Sequence, residues 1–271
     1  MAGVSSESLS AAQAALEAKL PTATLSLAED LFGILGILDG NPGLLRALTD
    51  PAREGKDKAA LVSQLLAGKV SADAVAIAAN LASARWGSAR DIVDALETLA
   101  ASVAIAVAEN QGLGPAGLEA LEEDLFRFNR VVGSNHELQR ALDDSRASAE
   151  ARSALALGVV PGIGEVARLL VAQAVAAPRG LKPVALVQRF LELVAKRQQR
   201  WIAQVSVTRP LTAEQSHRLQ AGLDRLYGRK LKINVTVDPT LVGGVRVAVG
   251  DEVVDATAAT RLAELRRRLA G

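Results

Sequence analysis

Glu29-Asp30-Leu31-Phe32-Gly33-Ile34-Leu35-Gly36-Ile37-Leu38-Asp39-Gly40-Asn41-Pro42-Gly43-Leu44-Leu45-Arg46-Ala47-Leu48-Thr49-Asp50 is the stretch on which the fold turns, because much of it occurs twice. Glu29-Asp30-Leu31-Phe32 returns as Glu123-Asp124-Leu125-Phe126. Asn41-x-x-Leu44-x-Arg46-Ala47-Leu48-x-Asp50 returns as Asn135-x-x-Leu138-x-Arg140-Ala141-Leu142-x-Asp144. Both motifs recur at an offset of 94 residues, and Gly87 and Gly180 fall within one residue of it. Separate motifs that keep one spacing mark an internal repeat, here of two related helical bundles.

The periodicity within each copy is helical. Leu27, Leu31, Ile34, Leu35 and Leu38 share one stripe, which predicts an amphipathic helix over 25–38. Gly40 is expected to end it in the left-handed conformation. Asn41 is expected to cap a short helix that Pro42 opens. Further helices are expected over 8–19 and 52–67, from a Ser71 cap to about Arg85, and over 89–111. The second copy reads as a helix over 116–132, an Asn135-capped short helix, breaks at Pro161-Gly162 and Pro178-Arg179-Gly180, and a long helix from Pro183 to about Arg200. Single helices of this length are marginal in water, so their stripes must meet in bundles. Phe32, Phe126, Phe190 and the leucines are assigned to the core, where each contributes roughly 1.5–3 kcal/mol.

The texture changes after Trp201. Residues 203–208 read as a strand, Thr212-x-x-Gln215 as a capping box opening a helix to Tyr227, and 230–237 as a half-buried strand with Leu231, Ile233, Val235 and Val237 on one side. Gly243-Gly244 precedes a strand over 245–249. Gly250-Asp251 is expected to turn a hairpin, and an arginine-rich helix over 258–270 to close the chain. The fold class is therefore mainly α: two tandem helical bundles, 1–111 and 112–201, followed by a small α+β domain, 202–271, of order β-α-β-β-α.

Composition sets the outer bounds. The 271 residues include no cysteine, which removes disulfides, thiolate nucleophiles and cysteine metal sites. No apolar run reaches the roughly 20 residues of a bilayer crossing. Residues 1–177 carry 14 basic against 22 acidic side chains, whereas residues 178–271 carry 17 against 8. The halves thus differ in sign, which fits either two halves that face different partners or a dipolar surface whose charge selects nothing.

The segment Val235-Thr236-Val237-Asp238-Pro239-Thr240-Leu241-Val242-Gly243-Gly244-Val245-Arg246-Val247-Ala248-Val249-Gly250-Asp251-Glu252-Val253-Val254-Asp255 closely resembles the C-terminal signature of the F-type ATP synthase delta subunit, whose mitochondrial counterpart is the oligomycin sensitivity-conferring protein. Leu262-x-x-Leu265 supplies its last element, and Val205-x-Val207-Thr208-x-Pro210-Leu211-Thr212-x-Glu214-Gln215 is similar to the family's linker into this domain. Asp238, Pro239, Leu241, Gly243, Gly244, Gly250 and Asp251 are its structural signature. The usual member has one bundle and this chain has two, as in long actinobacterial forms. The helix over 8–19 also lacks the Tyr-Ala-x-Ala-Leu run common near bacterial N-termini.

The resemblance implies a non-catalytic peripheral-stalk (stator) subunit, one copy per complex, on the cytoplasmic face of the cell membrane without inserting into it. It implies that the bundle holds N-terminal helices of the alpha subunits and that the C-terminal domain meets the far ends of the stalk b subunits. A cytoplasmic helical adaptor unrelated to ATP synthesis is the alternative that the helices alone allow.

The residues themselves offer little chemistry. No phosphate loop of the form G-x-x-x-x-G-K-[ST] is present, and Gly158-x-x-Pro161-Gly162-x-Gly164 reads as an interhelix break. His136 and His217 lie in different domains without metal spacing and are expected at the surface. Glu122-Glu123-Asp124 and Asp143-Asp144 read as solvated helix starts. Arg266-Arg267-Arg268 and the Lys230/Lys232 face lack the interleaved aromatics of a nucleic-acid surface. No catalytic residue, metal or cofactor is expected.

Overall fold

The computed structural model describes residues 3–255 apart from 113, 145, 229, 242 and 251. The chain divides into two compact units, 1–194 and 195–271.

The first unit is helical: α1 (Val4–Glu17), a single tight turn at Leu20–Thr22, α2 (Leu25–Asp39), α3 (Pro42–Thr49), α4 (Gly55–Leu66), α5 (Ala72–Ser83), α6 (Ala89–Gln111), α7 (Pro115–Gly133), α8 (His136–Asp143), α9 (Ala149–Gly158), α10 (Glu165–Ala176) and the start of α11 (Pro183–Gln199). The 94-residue offset holds across this series. It separates the ends of α2 and α7, both ends of α3 and α8, the starts of α4 and α9, and the starts of α6 and α11. It also carries the end of α1 onto the end of α6. The two bundles therefore overlap: the first half of α6 closes the first bundle as α11 closes the second, and its second half opens the second bundle as α1 opens the first. The boundary expected at 111/112 coincides with the end of this shared helix.

Packing follows from that overlap. Every residue from Val103 to Glu109 is buried, because α6 has protein on all sides. It packs against α1 and α2 on one hand and α7 and α10 on the other. Within each bundle the corresponding pairs recur: α4 on α5 and α9 on α10, α2 on α5 and α7 on α10.

The repeated residues have identifiable roles. The Asp30 carboxylate accepts from the Ser71 N–H at 2.9 Å, and the Asp124 carboxylate from the Gly164 N–H at 2.8 Å. Each satisfies an orphan donor at the start of α5 or α10, where negative charge also complements the helix dipole. Leu31, Leu48, Leu125 and Leu142 are fully buried. Asp50 accepts from the Ala52 N–H and Asp144 from the Arg146 N–H, both at 2.9 Å, turning the chain after α3 and α8. Asp124 and Asp144 thus bond specific partners and do not serve as solvated helix starts.

Three expectations need correction. Phe126 is 46% exposed, not core; Phe128 fills the core of α7. Gly40 has φ −74°, so no left-handed glycine ends α2, and Ser134 stands at the equivalent place after α7. The Asn41 side chain leaves α3 uncapped and donates to the Ile37 carbonyl at 2.7 Å, whereas Asn135 accepts from Glu137 and Leu138 as a cap.

The second unit has β1 (Ile202–Val207), α12 (Ala213–Tyr227), β2 (Lys232–Val237), β3 (Val245–Val249) and β4 (Glu252–Asp255) in a sheet of order β2-β1-β3-β4. β1 and β2 are parallel, joined by the α12 crossover, and the other pairs are antiparallel. β4 is the second arm, read from the sequence over 252–254, of the hairpin expected at Gly250-Asp251, an arm that the order β-α-β-β-α did not count, and the expected helix over 258–270 lies outside the described residues. Thr212 and Gln215 form the capping box of α12, which ends at left-handed Gly228. Register places Ala203, Val205 and Val207 between Ile233, Val235 and Val237 on β2 and Val249, Val247 and Val245 on β3. This face carries a core of Ala203, Val205, Val207, Leu223, Leu231, Val247 and Val249.

Candidate partner-binding surfaces

Asp238 starts the signature turn. Its N–H continues the β1–β2 ladder to the Val207 carbonyl at 2.8 Å, and its carboxylate accepts from the Thr240 N–H at 3.0 Å and hydroxyl at 2.6 Å. These bonds to Thr240 hold its carboxyl below the usual carboxylate range. Pro239, which has no N–H to donate, follows where the strand stops. Leu241 donates to the Asp238 carbonyl and is half-buried. Gly243 and Gly244 have φ of 68° and 84°, a left-handed pair that reverses the chain into β3. Gly250 (φ 58°) turns the hairpin, and a Cβ there would lie 3.2 Å from the Arg200 Cγ. Asp251 lies outside the described residues. The structure thus brings Asp238, Pro239, Leu241, Gly243 and Gly244 together in one turn and places Gly250 at the other end of β3.

The sheet face has an uncovered margin. Val205, Val207, Val247 and Val249 are buried, but Val235 and Val237 on the outer strand β2 are 42% and 44% exposed among the described residues. The strand expected to be half-buried thus lies mostly at the surface, with Leu231 buried just before it.

The bundles differ in the same respect. Ala28, Phe32 and Leu35 of α2 are buried, and α2 packs on α3, α5, α6 and α10. Their counterparts on α7, Glu122, Phe126 and Asn129, are half-buried or exposed. The first bundle therefore uses this helix face against the second, and the second leaves its own copy open.

Chemistry is sparse. His136 and His217 are exposed, and among the described residues no three His, Asp or Glu side chains form a metal-binding group. Glu97 lies in a buried ion-pair cluster. Arg179, at φ 49°, contacts Asp94 at 2.9 Å and Glu97 at 2.5 Å, with 8% or less of the Arg179 and Glu97 side chains exposed. Burial raises the Glu97 carboxyl above its ordinary value, against the opposing pull of Arg179. The cluster joins the α10–α11 loop to the first half of α6, so it fastens one bundle to the other. No pattern along the chain pairs these residues; only the fold does.

No single helix among the described residues is long and apolar enough to cross a membrane.

The sequence pattern of the family described as ATP synthase delta (OSCP) subunit matches residues 100–269, beginning inside α6 just after the second repeat starts. Curated relatives extend over the first bundle as well. A protein named ATP synthase subunit delta from Pseudarthrobacter chlorophenolicus is 64% identical over 100% of both chains. Proteins of the same name from Arthrobacter sp. and Streptomyces griseus are 65% and 38% identical, again over 100% of both chains. The chain belongs to the ATP synthase delta (OSCP) subunit family.

Proposed function

We propose that this chain is a peripheral-stalk subunit of an F-type ATP synthase that connects the catalytic head to the stalk. The observation that carries this reading is family membership, with relatives named ATP synthase subunit delta that match over the whole length of the chain. The subunit holds other polypeptides in place and catalyses nothing itself.

Within that role, one or both bundles hold N-terminal helices of the alpha subunits, and the 202–271 domain meets the far ends of the b subunits. Apolar contact supplies most of the affinity in such grooves, because exposed ion pairs contribute only about 0–1 kcal/mol each. The acidic and basic halves of the chain orient the two attachments. Two bundles in one chain also raise the effective concentration of the second contact once the first has formed. The subunit works peripherally, one copy per complex, at the cytoplasmic face of the membrane.

Cross-linking the full-length chain within detergent-solubilised synthase tests these attachments. Cross-links from residues 1–194 are expected to reach alpha subunits, and those from 195–255 to reach b subunits. The reverse pattern, or cross-links to neither, would overturn the assignment of partners.

A further inference from the structure

The first bundle contains a cavity of about 460 Å³ where the α3–α4 turn and the start of α4 meet the chain leaving α5. Arg53, Lys58 and Arg85 line it beside the apolar Val4 and Trp86, and Glu54 is its one carboxylate. Glu54 pairs with Lys56 at 2.7 Å, and Arg53 lies 4.0 Å from Asp50. Lys58 is 3% exposed, donates to the Ala84 carbonyl at 3.2 Å, and has no carboxylate within 4 Å among the described residues. Arg85 likewise has none among them. The Lys58 ammonium is held below its ordinary pKa, first by burial and then by the Arg85 charge, with Asp50 opposing.

The second bundle provides an internal control. Arg152 and Arg179 stand 94 residues after Lys58 and Arg85. Arg152 donates to the Leu142 and Ala176 carbonyls and ties α8 to α10. Arg179 is paired with Asp94 and Glu97. Both cations of the second bundle are thus engaged by the protein. Their counterparts in the first bundle face a cavity, with the shorter lysine reaching a single carbonyl.

We propose that this cavity is a binding site for a phosphate-sized oxyanion, held by Lys58 and Arg85. Such a ligand supplies the negative charge that Asp94 and Glu97 of α6 supply to Arg179, and charge-assisted bonds to a buried ammonium and a guanidinium fix it in place.

The test is calorimetric titration of the full-length chain with inorganic phosphate, against sodium chloride of matched ionic strength, with phosphorus NMR line width as a second readout. Saturable phosphate binding above the chloride control is expected. Arg85→Gln and Lys58→Met should each weaken it at least tenfold, and Arg140→Gln should leave it unchanged. Lys58→Arg keeps the charge and should retain binding that Lys58→Met loses. No binding above chloride, or undiminished binding by the Arg85→Gln variant, would overturn the proposal. If Lys58→Met does not fold, the exposed position 85 decides alone.

Discussion

Asp30 and Asp124 occupy the same place in the two bundles and make the same bond, a carboxylate accepting from the first free N–H of a helix packed across from them. A hydrogen bond to a charged group contributes about 1.5–3 kcal/mol. Asp30→Ala should therefore lose about that much and expose the start of α5 to hydrogen exchange, while Asp124→Ala does the same at α10. Glu97 makes a different prediction. Its folded pKa is raised, so the folded protein binds its proton more readily than the unfolded chain, and stability falls as pH rises from the ordinary carboxylate range through the raised value. Glu97→Gln should remove that slope, measurable as urea midpoints against pH. Removing Arg179 leaves Glu97 buried without its salt-bridge partner, while Asp94 keeps Arg90, so Arg179→Ala should cost about 3–5 kcal/mol. At the signature turn, Gly243→Ala forces a Cβ into the left-handed region and should cost about 1–2 kcal/mol.

At the scale of elements, the shared helix α6 explains what the sequence could and could not disclose. The repeat, the approximate bounds of α2, α3, α7 and α8, the capping box of α12 and the strands β1–β3 were all legible, because each depends on local spacing, although the Gly40 ending and the Asn41 cap were not. The double role of α6 was not. Its second half is apolar nearly all round, which reads as a core helix, and its likeness to α1 is one of position more than of residues. The same blindness misplaced Phe126. Phe32 and Phe126 stand in identical motifs, yet one lies where a neighbouring bundle packs and the other where none does. Local pattern cannot distinguish them, because burial is decided by which copy has a neighbour. The contrast predicts that Phe32→Ala costs about 3–5 kcal/mol, whereas Phe126→Ser changes stability by no more than about 0.5 kcal/mol. Paired denaturation curves would show it. Similar stability losses at both positions would mean that the two copies are packed alike.

At the scale of the molecule, the chain is a chassis of overlapping bundles followed by a small sheet domain whose signature glycines and aspartate shape a turn. Its family signature was readable because turn chemistry is written in a few residues with fixed backbone demands. The exposed apolar surfaces were less so, since they are distinguished from core only by what the described residues leave uncovered, as at Val235, Val237 and Phe126. The direct test of a connector is mechanical attachment. Membranes from cells lacking this chain should be washed at low ionic strength and assayed for ATPase activity in pellet and supernatant. Release of the activity into the supernatant, reversed by supplying the full-length chain, is the predicted result. Activity that stays with the washed membranes in the absence of the chain would contradict the account.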